Sequence, residues 1–230
     1  MEYIYLHGLG QTASSWQPVL QARSLPGTSR CLDLIELLRG QEASYQNLYA
    51  AFSRQCQQTA GKVTLCGLSL GAVLALNYAI DHPEGVEALV LIAPQYKMPR
   101  KLLWLQNLMF RFMPESQFQE TGFKKKDFVS LCQTAAVLDF TDSLGAVQCP
   151  TLVVCGAKDS ANRRAAGELA VLLPHASLME VPGAGHEVNT QAPEALAPAT
   201  VAELRKRLKL ADTIPKSVRS AILRYVKGAM

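Results

Sequence analysis

Four histidines, two tryptophans and no Cys-x-x-Cys pair are found in a chain of 230 residues, of which only 18% are charged. With so little His beside Cys31, Cys56, Cys66, Cys132, Cys149 and Cys155, no zinc site is legible, and no cofactor motif stands out. Several of these thiols sit in apolar runs, where cysteine behaves as a small hydrophobe. Reduced, buried thiols in a cytoplasmic protein are therefore expected, and no disulfide framework. Basic residues are not interleaved with aromatics, which removes a platform for single-stranded nucleic acid. The net charge is only +4. Most of it sits in two peripheral segments, 211–230 (Lys216, Arg219, Arg224 and Lys227 against Asp212) and 97–145 (seven Lys or Arg against five acids). A charge of that size and placement argues against nucleic acid as the main partner.

Missing too are internal repeats, low-complexity tracts, a domain linker and a basic, signal-like opening before the apolar MEYIYL. Residues 63–80 contain no charge and are long enough to span a bilayer. They also contain Gly67, Ser69, Gly71 and Asn77, and read better as a buried strand, a sharp turn and a buried helix. No stable membrane insertion is expected.

What is present is an alternation of short apolar runs with helical patterns, the mark of a parallel sheet covered by helices on both faces. Six strands are predicted, at Glu2–Leu6, Arg30–Ile35, Val63–Cys66, Ala88–Ile92, Thr151–Cys155 and Ser177–Val181, apolar almost throughout. Tyr45, Leu48, Phe52 and Cys56 recur at helical spacing, predicting a helix over 43–60. Ser160 is placed as the cap of another, with Ala165, Leu169 and Leu172 on one face, and 193–210 reads as a third. The segment 95–147 breaks the alternation and is rich in large apolar residues, which marks an insertion.

One pentapeptide carries chemistry. Gly67-Leu68-Ser69-Leu70-Gly71 follows a buried strand and opens an apolar helix. In such a strand–turn–helix a serine sits at the tip with strained dihedrals, and the two glycines permit the close approach. The helix N-terminus directs N–H groups at negative charge forming near Ser69. A serine hydroxyl needs a base. His82, in Asp-His-Pro after a helix, and His175, in Leu-Pro-His-Ala, read as surface residues. His186 follows the last strand in a glycine-rich loop and is the candidate base. Asp159 lies beyond the fifth strand and is the candidate orienting acid. Asp127, Asp139 and Asp142 have no strand to fix them. The order Ser, Asp, His at C-terminal strand ends puts all three at the edge where open parallel sheets bind ligands.

On these residues the chain resembles an α/β-hydrolase over residues 1–210, a small member starting at the family's third strand. His7-Gly8-Leu9-Gly10 is similar to the family's His-Gly motif. The resemblance implies Leu9 and Leu70 as backbone oxyanion donors and a structural role for His7. The family's Asp-x-x-Gly-x-Gly stretch is blurred to Asp33-Leu-Ile-Glu-Leu-Leu-Arg-Gly.

These features imply acyl transfer on carboxylic esters or thioesters, with an apolar portion of the substrate under a helical lid formed by 95–147. Trp104, Leu108 and Phe110 are candidate lining residues, or simply pack the lid. The resemblance also admits lyases that use the same fold and triad, and receptors that keep only the pocket to bind a ligand, while a dehalogenase would need a carboxylate where Ser69 stands. Residues 211–230 are expected to form a C-terminal amphipathic basic helix (Val218, Ala221, Ile222, Tyr225 and Val226 on one stripe) that docks on its own domain, ahead of a second subunit and, last, an anionic membrane surface.

Overall fold

The computed structural model describes residues 1–22, 27–98, 114–115, 118 and 123–196. Six strands form one parallel sheet: β1 (Glu2–Leu6), β2 (Thr28–Leu32), β3 (Val63–Leu68), β4 (Val86–Ile92), β5 (Thr151–Gly156) and β6 (Ala176–Val181), in the order β2-β1-β3-β4-β5-β6. Eight α-helices and three short 3-10 helices accompany them among the described residues, the α-helices being α1 (Gln17–Ala22), α2 (Leu34–Leu37), α3 (Tyr45–Gln57), α4 (Leu70–Asp81), α5 (Lys125–Ala135), α6 (Arg163–Leu172), α7 (Val188–Gln191) and α8 (Pro193–Leu196).

The inner strands β1, β3, β4 and β5 are buried almost throughout because both faces are covered, whereas the edge strands β2 and β6 are only partly buried, contrary to the expectation of apolar strands throughout. Their period of two still sorts side chains between two cores. Ile4, Leu6, Leu65, Leu89, Leu91 and Val153 join α3, α4 and α6 on one side. Tyr3, Tyr5, Cys66, Leu68, Val90 and Val154 meet Trp16, Val19, Val188 and Leu196 on the other. The central strands β3 and β5 are buried at every position.

Local chemistry moves several boundaries. The second strand ends at Leu32, not Ile35, because the Asp33 carboxylate accepts from Ile35 N (3.0 Å) and caps α2. α3 is shorter than 43–60, since Ser44 Oγ accepts from Asn47 N (3.2 Å) and starts it at Tyr45. Ser160 does not cap α6. It lies outside that helix, whose flanking residue is Asn162, and the buried stripe is Ala166, Leu169 and Leu173 rather than Ala165, Leu169 and Leu172. His82 does end α4, but it is only half-exposed: its ring lies 4.5 Å from that of Tyr78 and its Nε2 3.4 Å from Ser53 Oγ. His175 is an exposed turn residue, as expected.

Residues 63–80 form β3, a turn and most of α4, and no helix among the described residues is long and apolar enough to cross a membrane. Five of the six cysteines are buried, and burial pushes the Cys56 and Cys132 thiols up to about 12. They pack as hydrophobes.

The two ends of the 95–147 segment pair with each other. Met98 N donates to Leu138 O (3.1 Å), Phe140 N to Tyr96 O (2.8 Å), and Lys97 bridges Asp139. Beyond that base, α5 docks on α3, with Thr134 Oγ1 accepting from Tyr45 N (2.8 Å) and Ser130 Oγ donating to Ala43 O (2.5 Å). Trp104, Leu108 and Phe110 lie outside the described residues, as do 211–230 and all of 193–210 past Leu196.

Candidate active site

Ser69 joins β3 to α4 at φ 53° and ψ −113°, a conformation that L-residues rarely adopt. Two bonds hold it there: Ser69 N donates to Ile92 O (2.9 Å), and Ser69 O accepts from Val73 N (3.0 Å). The flanking glycines are required by space. A Cβ on Gly67 would lie 2.6 Å from Ala72 N and overlap the Gly71 carbonyl; one on Gly71 would overlap the Leu6 carbonyl oxygen and lie 2.8 Å from His7 O. The strand, the turn and α4 therefore close on one another and leave Ser69 half-buried at the sheet's C-terminal edge.

Asp159 and His186 come to the same edge from the ends of β5 and β6. The two loops touch backbone to backbone, with Lys158 N donating to Ala184 O (2.9 Å) and no room for a side chain at Gly156 against Gly185 O. Gln191 Oε1 accepts from Gly185 N (2.6 Å), bracing the histidine loop from α7. His186 Nδ1 lies 2.8 Å from Asp159 Oδ2. The carboxylate side chain is 5% exposed and the imidazole 42%, so the acid is sheltered and the ring reaches solvent. Burial works to raise the Asp159 pKa, but bonds from His186 and Asn162 outweigh it and hold the carboxyl below its usual range.

That depression has a sign. A carboxylate whose folded pKa lies below its unfolded value stabilises the fold above roughly pH 4 and loses that contribution as pH falls through the folded value. The stability difference between wild type and Asp159→Asn, measured by urea unfolding, should be steady near neutrality and narrow below about pH 4. A difference that stays flat into stronger acid would show that the fold does not depend on the ionised form.

The His7–Gly10 segment turns beside Ser69. Gly8 O accepts from Gln11 N (3.1 Å), and Gly10 takes φ 101°, the left-handed position that a turn of this kind reserves for glycine. That bond leaves Leu9 N–H uncommitted to the turn. Leu70 is the first residue of α4, whose N–H has no acceptor within its own helix. His7 is wholly buried: Nδ1 donates to Gly8 O (2.9 Å) and Nε2 accepts from Leu34 N (3.0 Å). Burial holds its imidazole below the usual range, so a neutral ring pins the turn to the start of α2. Asn189, also wholly buried, links that turn to the histidine loop, donating to Gln11 Oε1 (3.1 Å) and Ser15 O (3.2 Å) while Gln11 Nε2 donates to its Oδ1 (3.3 Å).

A family model described as "Alpha/beta hydrolase family" matches residues 4–199. The chain belongs to the alpha/beta hydrolase family. Among curated relatives, a polyketide synthase, ThaQ, of Burkholderia thailandensis is 31% identical over 186 residues, covering 66% of this chain and 9% of its own length. The pimeloyl-[acyl-carrier protein] methyl ester esterase of Citrobacter koseri is 32% identical over 90 residues, covering 39% of this chain and 35% of its own. A putative carbamate hydrolase, RutD, of Klebsiella pneumoniae is 26% identical over 166 residues, covering 57% of this chain and 62% of its own. The chain thus spans less than two thirds of each. Solved structures share the fold: NosK from Streptomyces actuosus (TM-score 0.74, 22% identity, 90% of this chain and 98% of that one) and the enol-lactonase from Burkholderia xenovorans (0.69, 16%, 89% and 91%).

In this alpha/beta hydrolase the side chains that sequence reasoning missed are amides. Asn162, Gln95, Gln11 and Asn189 brace the candidate residues across separations of up to 178 positions. Asn162, three residues past Asp159 at a helix start, carried the only local signal.

Proposed function

We propose that the chain is a serine hydrolase of carboxylic esters or thioesters, acting through an acyl-enzyme on Ser69. His186 Nε2 takes the Ser69 hydroxyl proton as Oγ attacks the substrate carbonyl. Asp159 holds the Nδ1–H tautomer and stabilises the imidazolium. The N–H groups of Leu9 and Leu70 receive the oxyanion, an interaction whose loss typically costs about 10²–10³ in turnover per donor. The imidazolium then protonates the leaving alcohol or thiol. A water, deprotonated by His186, adds to the acyl carbon, and collapse returns the carboxylic acid and free Ser69.

The observation that carries this reading is the 2.8 Å Asp159–His186 pair on the sheet edge that also presents the strained Ser69. The names of two relatives, a methyl ester esterase and a putative carbamate hydrolase, point to carbonyl cleavage as well. A fluorophosphonate probe should label wild type and not Ser69→Ala, and p-nitrophenyl esters of increasing chain length should be turned over. Absence of labelling would reject the reading, and labelling without turnover of any ester or thioester would turn it toward lyase chemistry.

The segment 95–147 is proposed as the lid, with Trp104, Leu108 and Phe110 lining an acyl pocket. Trp104→Ala and Phe110→Ala are then expected to shift chain-length preference more than melting temperature. A fall in melting temperature alone would reduce these residues to packing.

A further inference from the structure

We propose that Asn162 is a positioning residue for the Asp159–His186 pair, and that Gln95 fixes the Asn162 amide in the one orientation that serves it; this rests on the roles given above to Asp159 and His186. Asn162 Nδ2 lies 2.9 Å from Asp159 Oδ1, 2.9 Å from Oδ2 and 3.1 Å from His186 Nδ1. The ring nitrogen carries the proton that it gives to Oδ2, so it has no lone pair for the amide. One amide hydrogen therefore goes to the carboxylate, shared between its two oxygens. Asn162 N also donates to Oδ1 (3.3 Å). The carboxylate is held by two N–H groups of one residue, one side-chain and one backbone, and cannot rotate its Oδ2 away from the imidazole without giving them up.

An amide can be turned over, and here the two orientations are unequal. Reversed, Asn162 would set its carbonyl oxygen against an ionised carboxylate. The Asp159 carboxylate, which only accepts, turns Nδ2 toward itself, and Gln95 Nε2, 2.8 Å from the outward Asn162 Oδ1, donates to that oxygen and holds the productive orientation. Gln95 has a firm seat of its own. It stands next to Tyr96, whose hydroxyl donates to Glu168 Oε2 on α6 (2.9 Å) and whose carbonyl accepts from Phe140 N. The base of the 95–147 segment is in this way tied to the acid. The cations flanking Asp159 in sequence, Lys158 and Arg163, are exposed, and Arg163 Nη1 donates to Ala157 O (3.4 Å). The side-chain contacts to the carboxylate besides His186 come from a neutral amide.

The test uses Asn162→Ala, Gln95→Ala and Gln95→Glu in the full chain, each checked by thermal melting. Asn162→Ala should lower kcat about 10- to 100-fold with KM within about twofold, the range expected when a reacting group is misplaced by a fraction of an ångström to an ångström. Gln95→Glu, although isosteric, should lower kcat more than Gln95→Ala, because a carboxylate accepts where Asn162 needs a donor and turns its amide over. The low-field proton resonance of His186 Nδ1–H, recorded without substrate, should be sharp in wild type and broadened by solvent exchange in Asn162→Ala and Gln95→Glu. Wild-type kcat and a sharp resonance in Asn162→Ala would overturn the proposal, as would a Gln95→Glu no worse than Gln95→Ala. If Asn162→Ala does not fold, the Gln95 pair decides. The resonance reads the contact in the resting protein. A wild type that hydrolyses nothing and takes no probe would defeat the functional reading, and this measurement would still judge the amide.

Discussion

Ser69→Ala is expected to lower kcat on any ester that the chain turns over by about 10⁴- to 10⁶-fold, the usual range for removing the nucleophile of a serine, histidine and aspartate set. Its melting temperature should stay close to wild type. Alanine keeps the Cβ and therefore the same strained backbone, and Ser69 makes no side-chain capping bond to α4. Ser69→Gly separates chemistry from strain. Glycine tolerates φ 53° and ψ −113° without the steric cost of about 1–3 kcal/mol that such a conformation carries in other residues. Part of that gain is offset by about 0.5–1 kcal/mol of extra freedom in the unfolded chain. Ser69→Gly should thus be as inactive as Ser69→Ala and melt a few degrees higher. Retention of more than a few per cent of activity in either variant would remove Ser69 from the chemistry. A glycine variant less stable than wild type would mean that the dihedrals at residue 69 are not a source of strain.

How much of this was legible in the sequence depends on how local each cause is. The inner strands are runs of apolar residues flanked by glycine, proline or polar positions, and burial on both faces follows from their lack of alternation; the edge strands β2 and β6 keep exposed positions because each has a neighbour on one side only. The positions of Ser69, Asp159 and His186 just past β3, β5 and β6 followed from counting residues beyond each run. The end of the second strand was missed because Leu34 and Ile35 extend its apolar run, while a side-chain bond from Asp33 to Ile35 N bends the backbone into α2. Ser160 looked like a cap by residue type alone. Asp159 holds Asn162 N instead, so the carboxylate that pairs with His186 also shapes the start of α6. The Gln11–Asn189 and Gln95–Asn162 bonds join residues 178 and 67 positions apart, and uncharged amides leave no mark in charge or hydropathy.

Gly71→Ala is expected to be strongly damaging for a change of a single methyl group. The added Cβ would overlap the carbonyl oxygen of Leu6 and stand 2.8 Å from that of His7, and both are backbone atoms that no rotamer change can move. Relief requires α4 to lift off the end of β1. α4 is deeply buried, with Ala72, Leu74, Ala75 and Leu76 wholly covered. Overpacking a core costs about 1–3 kcal/mol and more where backbone must shift. At about 2–4 °C per kcal/mol in a domain of this size, the melting temperature should fall by roughly 5 °C or more. Activity should fall further than stability, since the same displacement separates Leu70 N–H, on α4, from Leu9 N–H, which follows His7. Two controls bracket the result. Gly145→Ala meets nothing within 4 Å and should be neutral. Gly167→Ala, equally unobstructed and in the interior of α6, should gain about 0.5–1 kcal/mol from helix propensity. Melting curves and fluorophosphonate labelling rates of the three variants give the comparison. A Gly71→Ala protein that melts within a degree of wild type and labels at its rate would mean that α4 does not approach β1 as closely as Leu6 and His7 require.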